Sequence, residues 1–345
     1  MERLVRNALL PAALLLLTAA TLGAETFPRA VFAGAIGGSR RIILEFGGLD
    51  SDRVGICLHD DDARHTELGG VLLAGGVVRL TEYDARTGDT NGWFEGTFDA
   101  GGISLTGEWG RAGRTHRLPF KAERVADFDS LGDEWTSGGV HYTFSIIYPQ
   151  FLSSMGPAYA ALNDSLDRIA ESYRGQAHAW CIQVAGGGTH GSASEEQVVD
   201  VGSDVLLSVV FLGPGLVSLA GRARHDGPMQ PWTDYHSLNF RMLDREAQPI
   251  APALVFRSGS GYRSRLARLL VAAVRRSGYA CMDGISPAAL ERSNDAVRFA
   301  IVARGLRFTL WPRGASCGPA DDLLIPYSAI RTMIDPHGPL WKLAR

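Results

Sequence analysis

The first third of the chain is a series of short apolar runs separated by glycine-rich turns. Dipeptides such as Gly75-Gly76 and Asn91-Gly92 supply the positive φ angles that tight hairpins need. Short strands about ten residues apart, with no useful helical period, predict an antiparallel meander folded as a small barrel or sandwich. The clearest strands are Arg41–Phe46, Val54–Leu58, Val77–Glu82, Trp93–Phe98, Ile103–Trp109 and Thr115–Phe120.

The pattern changes beyond residue 130. Apolar residues recur at steps of three and four from Pro157 to Arg174, which predicts an amphipathic helix that ends at Gly175. A second helix is predicted from Tyr262 to Arg276. Alternating strands surround both helices, and the turn Gly213-Pro214-Gly215 joins two of them. We therefore expect an α+β region with two main helices on an antiparallel sheet.

These two patterns predict a chain of two domains. Residues 25–125 form the all-β domain and residues 133–345 form the α+β domain. The segment 126–132 between them is polar and has no periodicity, so it is predicted to be a linker.

The N-terminus has the pattern of a secretory signal peptide. Arg3 and Arg6 precede an apolar run over residues 8–20, and small residues follow at Gly23-Ala24. The apolar run is short for a membrane span. We expect residues 1–24 to be removed and the mature protein to be periplasmic or secreted, rather than integral to the membrane. The alternative is that the segment stays uncut as an anchor.

Composition excludes some classes of protein. The chain has 345 residues, 46% of them hydrophobic and 21% charged, with a net charge of −3, which is typical of a globular protein. No basic block or stripe of alternating aromatic and basic residues occurs. We therefore expect no nucleic-acid partner.

The four cysteines are informative because export would place them in an oxidising compartment. Cys57, Cys181, Cys281 and Cys317 are widely spaced, and no two have the spacing of a zinc site. Cys281 and Cys317 are the closest pair and lie in loop-like contexts, so they are the candidate disulfide. The alternative is that all four are buried thiols.

Two further motifs have residue types that occur in ligand sites. The run from His59 to Asp62, with His65 close behind it, could hold a divalent cation or form a solvated acidic turn. The glycine-rich run from Gly186 to Ser192 lacks the lysine of a phosphate-binding loop. The sequence predicts no metal site and no cofactor.

The segment from His225 to Asn239 is the strongest candidate for a binding site. Its ligand-binding candidates are polar aromatic and acidic side chains on a turn that contains proline and glycine. Flat rings stack on ligands while their polar edges form hydrogen bonds. The alternatives are a loop that covers a sheet edge, or an acid–base pair of His225 and Asp226, although no nucleophile is identified. The candidates are His225, Asp226, Trp232, Tyr235 and His236.

Three segments of the second domain form a pattern, namely Leu206–Phe240 with its Gly221–His225 turn and Asn239-Phe240 pair, Phe308–Trp311 and Ile325–Ser328. In this pattern, residues 133–345 resemble an uncharacterised bacterial extracytoplasmic domain. That domain occurs in a lysozyme-sensing anti-sigma factor and in some peptidoglycan deacetylases. The family's paired glycines are not kept, since Arg222-Ala223-Arg224 stands in their place. The first domain resembles glycine-rich β modules of exported Gram-negative proteins, through the runs 92–96 and 105–109.

Export and this resemblance imply a binding protein more than an enzyme. The expected ligand is a cell-wall fragment, or a cell-wall-active protein such as a muramidase. In the second case the protein could be an inhibitor or an immunity protein. The alternatives are an envelope hydrolase that uses His225 and Asp226, or a structural envelope protein.

Overall fold

The computed structural model describes residues 26–47, 53–60, 65–186, 199–227, 232–278, 284–293, 298–310 and 320–345. The predicted signal peptide lies outside these ranges, and so do Cys281 and Cys317 with their predicted disulfide. Within the ranges, no helix is both long enough and apolar enough to cross a membrane.

The N-terminal region is an antiparallel barrel, which confirms the predicted meander. Each strand pairs with the next one in sequence, and the first strand also pairs with the eighth. Pairing of the first and last strands closes the sheet and removes its edges. The eight barrel strands in the described ranges are β1 (Ala30–Ile36), β2 (Arg40–Phe46), β3 (Gly55–His59), β4 (His65–Leu73), β5 (Val77–Asp84), β6 (Thr90–Phe98), β7 (Ser104–Arg111) and β8 (Arg117–Ser137).

Two of these strands, β1 and β4, are missing from the prediction because small residues weaken their apolar pattern. β4 contains Gly69-Gly70, a pair typical of turns. In β1, Gly34 lies against β8 so closely that a Cβ atom there would be 2.0 Å from the carbonyl oxygen of Lys121. The glycine that obscures β1 in the sequence therefore allows the barrel to close.

The predicted linker is wrong, because residues 126–132 form the middle of β8. This part of the strand pairs with β9 (Val140–Phe151). Phe128 and Leu131 pack against the hydrophobic core, while polar side chains occupy the positions between and beside them. Pairing with β9 therefore makes residues 126–132 a strand, although the segment is polar in composition. The sheet passes unbroken from the barrel into the second region, so a division into two domains is not confirmed.

The second region extends the sheet with β10 (Val199–Gly213), β11 (Leu216–Asp226), β12 (Trp232–Met242) and β13 (Ala247–Pro249). The prediction of an antiparallel sheet is wrong at one pair, since β10 runs parallel to β9. The helix α1 (Pro157–Gly186) lies between these two strands in sequence. A crossover that contains a helix returns the chain in the same direction, which gives a parallel pair.

Helix α1 is longer than predicted, since it continues past Gly175. Its buried stripe runs on through Ala177 and Cys181, two small residues that the apolar pattern underrates. The same core includes Ile43 and Leu58, whose side chains lie on the outside of the barrel. The barrel wall and the second region therefore share one hydrophobic core.

The sheet and α1 form two layers, and a third layer covers the face of β10–β12 that is opposite to α1. It contains α2 (Pro252–Val255), α3 (Tyr262–Ser277), α4 (Pro287–Ser293), α5 (Tyr327–Ile330) and a small sheet of β14 (Ala300–Val302), β15 (Gly305–Leu310) and β16 (Ala320–Pro326). Helix α3 matches the second predicted helix to within a residue. Its buried side chains pack on the small sheet and so support the wall of the cleft described next.

Candidate functional site

A cleft of about 1220 Å³ separates the C-terminal half of α1 from the third layer. Its floor is β12 with the adjacent part of β11, and its walls are α1 on one side and α4, β14 and β15 on the other. Three of the five candidate residues from the sequence line it, namely Trp232, Tyr235 and His236. Trp180 from α1 and Arg298 before β14 line it as well.

The floor of the cleft is a strand edge. Residues 232–238 of β12 pair with β11 on one side, and β13 covers only Phe240 to Met242 on the other. No other strand in the described ranges pairs with residues 232–238, and all seven are half-buried. A strand edge carries backbone N–H and C=O groups that can pair with another chain.

Aromatic rings line one end of this edge. The Trp232 ring stacks on the His225 ring with centroids 4.7 Å apart and an interplanar angle of 21°. Trp180 meets Trp232 edge to face at 4.8 Å and meets His225 at 5.6 Å. Gly227 lies beside Trp180, where a Cβ atom would make an ordinary contact of 3.7 Å with the indole. These contacts fix both indole rings at the mouth of the cleft.

His225 lies behind Trp232 rather than in the cleft. Its Nδ1 shares a hydrogen bond of 2.8 Å with the hydroxyl of Ser203, and its Nε2 lies 3.9 Å from a carboxylate oxygen of Asp234. Burial lowers the pKa of His225, although the carboxylates of Asp234 and Asp226 oppose that shift. The imidazole is therefore neutral at pH 7 and supports the Trp232 ring.

Asp226 does not form an acid–base pair with His225. Its carboxylate accepts a hydrogen bond from Arg224 and forms an ion pair with it, with an N–O distance of 2.9 Å. Neighbouring residues of a strand point to opposite faces of the sheet, which separates the side chains of 225 and 226. Of the five candidates, the structure therefore brings together His225, Trp232, Tyr235 and His236 and leaves Asp226 apart.

The arrangement of Ser203, His225 and Asp234 differs from a hydrolytic triad. In a triad the serine faces Nε2 and the carboxylate accepts from Nδ1, whereas here those roles are reversed. Ser203 is only 1% exposed, so its hydroxyl does not reach a ligand in the cleft. The serine holds the histidine ring in place, and no step of hydrolysis follows from this geometry.

His236 lies deeper along the same edge. Its ring meets Tyr173 of α1 edge to face at 5.0 Å. Burial lowers the pKa of His236, the positive charge of Arg298 lowers it further, and Asp234 opposes both. Gly221, opposite His236 on β11, leaves room for it, because a Cβ atom there would lie 3.3 Å from the Cβ of His236.

A buried amide fixes the opposite wall of the cleft. The Asn239 carbonyl oxygen accepts hydrogen bonds from Ser218 at 2.7 Å and from the backbone N–H of Ile301 at 3.0 Å. Its amide nitrogen donates to the carbonyl of Phe299 at 2.8 Å. These bonds tie β14 to β12, so the Asn-Phe pair of the sequence resemblance positions the wall that carries Arg298.

Sequence reasoning missed Trp180, Ser203 and Arg298. Trp180 lies beyond the predicted end of its helix, and Arg298 precedes a strand by two residues. None of the three stands in a motif with His225–Asn239, because the fold alone brings them together. Their residue types are common on surfaces and in strands, so no local signal marks them.

The structure describes only part of the run from His59 to Asp62 that the sequence identified. His59 ends β3 with its side chain inside the barrel, whereas Asp60 forms an ion pair with Arg41 at 3.3 Å. Asp61 and Asp62 lie outside the described residues, as does most of the run from Gly186 to Ser192. Among the described cysteines, Cys57 and Cys181 are free and buried.

Solved structures that are similar to this chain include two DUF3298 family proteins. A DUF3298 family protein from Bacteroides fragilis is 13% identical, with a TM-score of 0.38, and covers 64% of this chain and 97% of its own. A DUF3298 family protein from Pseudomonas aeruginosa is 13% identical, with a TM-score of 0.41, and covers 61% of this chain and 95% of its own. No family model and no curated protein match the sequence.

The resemblance of the second region to an uncharacterised extracytoplasmic domain stays a prediction. The links to an anti-sigma factor, to deacetylases and to glycine-rich modules stay predictions.

Proposed function

We propose that the protein is an exported binding protein whose cleft takes a cell-wall fragment, with no catalysis in the cleft. The observation that carries this proposal is the strand edge 232–238, which pairs with β11 alone among the described strands and lies between two indole rings and an arginine. Each of these three features suits a different part of a glycopeptide.

The rings of Trp180 and Trp232 suit the sugar part. Indole faces stack on the apolar faces of flat or cyclic ligands, and polar groups at the rim then form hydrogen bonds. Both rings are half-buried and held by His225, so they need little ordering when a ligand binds.

The edge of β12 suits the peptide part. An extended peptide can pair with an open strand edge through its main chain, independently of its side chains. Arg298 is exposed and forms no ion pair among the described residues, so it can bind a carboxylate of the peptide. The edge and the cation lie in the same cleft.

The size of the cleft also favours an oligomeric fragment. Its volume of about 1220 Å³ exceeds the range of about 300–1,000 Å³ that is usual for small-molecule sites. A folded protein partner would instead need a face of about 800 Å². A concave cleft therefore favours a fragment over a muramidase, and the muramidase becomes an outcome of the test.

Calorimetric titration of the purified chain with a soluble disaccharide–tetrapeptide tests the proposal. We expect binding with one site per chain, and Trp232→Ala should weaken it by about 10- to 100-fold. Trp93→Ala is the matched control, because Trp93 stacks with Arg117 on the barrel and should leave the affinity unchanged.

The separate parts of the ligand sharpen the test. Arg298→Gln should weaken binding of the disaccharide–tetrapeptide and leave binding of the sugar alone unchanged. Failure of every fragment to bind would overturn the proposal. If the protein captures a muramidase and the muramidase loses its activity, the proposed role changes from fragment binding to inhibition. If the protein binds neither a cell-wall fragment nor a muramidase, a structural role in the envelope is favoured.

Export is a separate part of the proposal and has its own test. N-terminal sequencing of the protein from a periplasmic fraction should begin close to residue 25. An uncut N-terminus in the membrane fraction would favour an anchored form. Neither result depends on the ligand.

A further inference from the structure

We propose that the barrel holds a zinc ion on Cys57, His59 and Glu82. The site lies at the end of the barrel where strands β3 and β5 finish. This site is independent of the cleft and of its proposed ligand. The sequence predicts no metal site because Cys57 has no cysteine near it, but the fold supplies a histidine and a carboxylate instead.

The topology brings the three side chains together. Cys57 and His59 are two residues apart on β3, so both point into the barrel. Glu82 enters from β5, on the other side of β4. All three residues are buried, and one ligand atom from each lies within 4.8 Å of the others.

The distances fit a zinc site with one adjustment. Zinc bonds of about 2.0–2.3 Å put neighbouring donor atoms of a tetrahedral site roughly 3.3–3.6 Å apart. Sγ of Cys57 already lies 3.5 Å from Nε2 of His59. Nε2 lies 2.6 Å from Oε1 of Glu82, a hydrogen-bond distance. The ion would replace the proton between these two atoms and widen that separation by roughly 0.7 Å, from the same bond lengths.

The neighbours of Glu82 orient it as the partners of a metal ligand do. Thr66 donates a hydrogen bond to Oε1 at 3.0 Å, and the Trp109 indole donates to Oε2 at 2.6 Å. Outer partners of this kind fix the direction of a ligating carboxylate. Gly92 leaves space for that carboxylate, because a Cβ atom there would lie 2.7 Å from Oε2.

Charge and protons balance in this step. A thiolate and a carboxylate together neutralise Zn²⁺, and water completes a tetrahedron that has three protein ligands. The Cys57 thiol releases its proton to solvent when the ion binds. The Nε2 proton of His59 passes to Nδ1, which is buried and has no hydrogen-bond partner among the described residues. One cation lies near the cluster, since the Arg40 guanidinium is over the Trp109 ring at 4.8 Å.

Cobalt titration of the full chain, after treatment with a chelator and under reducing conditions, tests the site. Co²⁺ reports a thiolate ligand through a sulfur-to-metal charge-transfer band. We expect one Co²⁺ per chain with this band, and displacement of the Co²⁺ by Zn²⁺. Cys57→Ser should lose the band, whereas Cys181→Ser is the matched control and should keep it, because Cys181 is a second buried free thiol in α1.

A second readout protects the test against misfolding of Cys57→Ser. Thr66→Val removes the hydrogen bonds that the Thr66 hydroxyl donates to Glu82 and to the backbone carbonyl of Cys57, and should weaken zinc binding by about 10- to 100-fold. X-ray absorption at the zinc edge of the unmodified protein should show one sulfur and three nitrogen or oxygen neighbours. A band that survives Cys57→Ser, or zinc without a sulfur neighbour, would overturn the site, as would absence of binding.

Discussion

The barrel end and the cleft each place a histidine beside a carboxylate, but they treat the pair differently. In the barrel, His59 donates to Glu82 at 2.6 Å, and both residues are at most 6% exposed. In the cleft, His225 lies 3.9 Å from Asp234, whose side chain is 47% exposed. The His59–Glu82 pair is sealed from solvent, whereas the His225–Asp234 pair is partly exposed to it.

The difference comes from whether the sheet closes. The barrel pairs β1 with β8, so polar groups at its end must find partners among themselves. In the continuation of the sheet, β11 is the only described strand that pairs with residues 232–238 of β12, and aromatic rings lie beside this edge. Closure therefore buries polar side chains together as a cluster, whereas the β12 edge provides the surface of the proposed binding site.

The largest expected effect tests how sealed the barrel cluster is. Glu82→Ala removes the acceptor of three hydrogen bonds and leaves His59 and Trp109 buried without it. We expect the free energy of unfolding in urea to fall by about 3–5 kcal/mol. Glu95→Ala is the control, since Glu95 forms exposed ion pairs with Arg79 and Arg117 and should change stability by about 1 kcal/mol or less. Equal losses in the two variants would contradict a sealed cluster.

The next effect tests the contact between the barrel and the second region. Glu45 on β2 is buried, and the backbone N–H of Val209 on β10 donates to it at 3.3 Å. Burial raises the pKa of Glu45 from 4.5 to about 8, although hydrogen bonds to Ser208 and Val209 oppose the shift. The folded protein therefore keeps a proton here that the unfolded chain releases.

The sign of the pH dependence follows from that proton. Between about pH 4.5 and pH 8 the folded state binds more protons at Glu45, so the free energy of unfolding should fall as pH rises, by up to about 1.4 kcal/mol per pH unit. The Glu45→Gln side chain cannot titrate. The difference in free energy of unfolding between this variant and the unmodified protein should therefore shift in favour of the variant as pH rises from about 4.5 to 8. Urea unfolding of both proteins at pH 5, 6.5 and 8 measures this difference. A difference that stays the same at all three pH values would refute the raised pKa.

A smaller effect tests whether the cleft wall depends on one amide. Asn239→Ala removes the partner of Ser218 and of two backbone groups of the β14 segment. We expect a loss of about 1–3 kcal/mol in stability, with faster amide hydrogen exchange in β14 than in the barrel. Uniform acceleration over the whole chain would show that Asn239 supports the general fold and not this wall.

The sequence predicts the barrel strands and both main helices because their periodicity is local. It misplaces residues 126–132, since only pairing with β9 makes that polar segment a strand. It finds Trp232 and His236 because residue types cluster along one segment. The sequence analysis misses Trp180 and the Cys57–His59–Glu82 cluster. Both depend on which strands and helices become neighbours, and neither composition nor local pattern predicts that.

The smallest predicted effect concerns the charges around His236 in the cleft. Arg298 lowers the pKa of His236 and Asp234 raises it, on top of the lowering by burial. Arg298→Gln should therefore raise the pKa of His236, and Asp234→Asn should lower it, in NMR titrations of the imidazole. Arg117→Gln is the control, because Arg117 forms its ion pairs with Glu95 and Glu108 on the barrel and should leave the pKa of His236 unchanged. Shifts of the same sign in both variants would mean that neither charge acts on His236 through the cleft. Opposite shifts would show that Arg298 and Asp234 both act on this ring, as a site for a charged ligand requires.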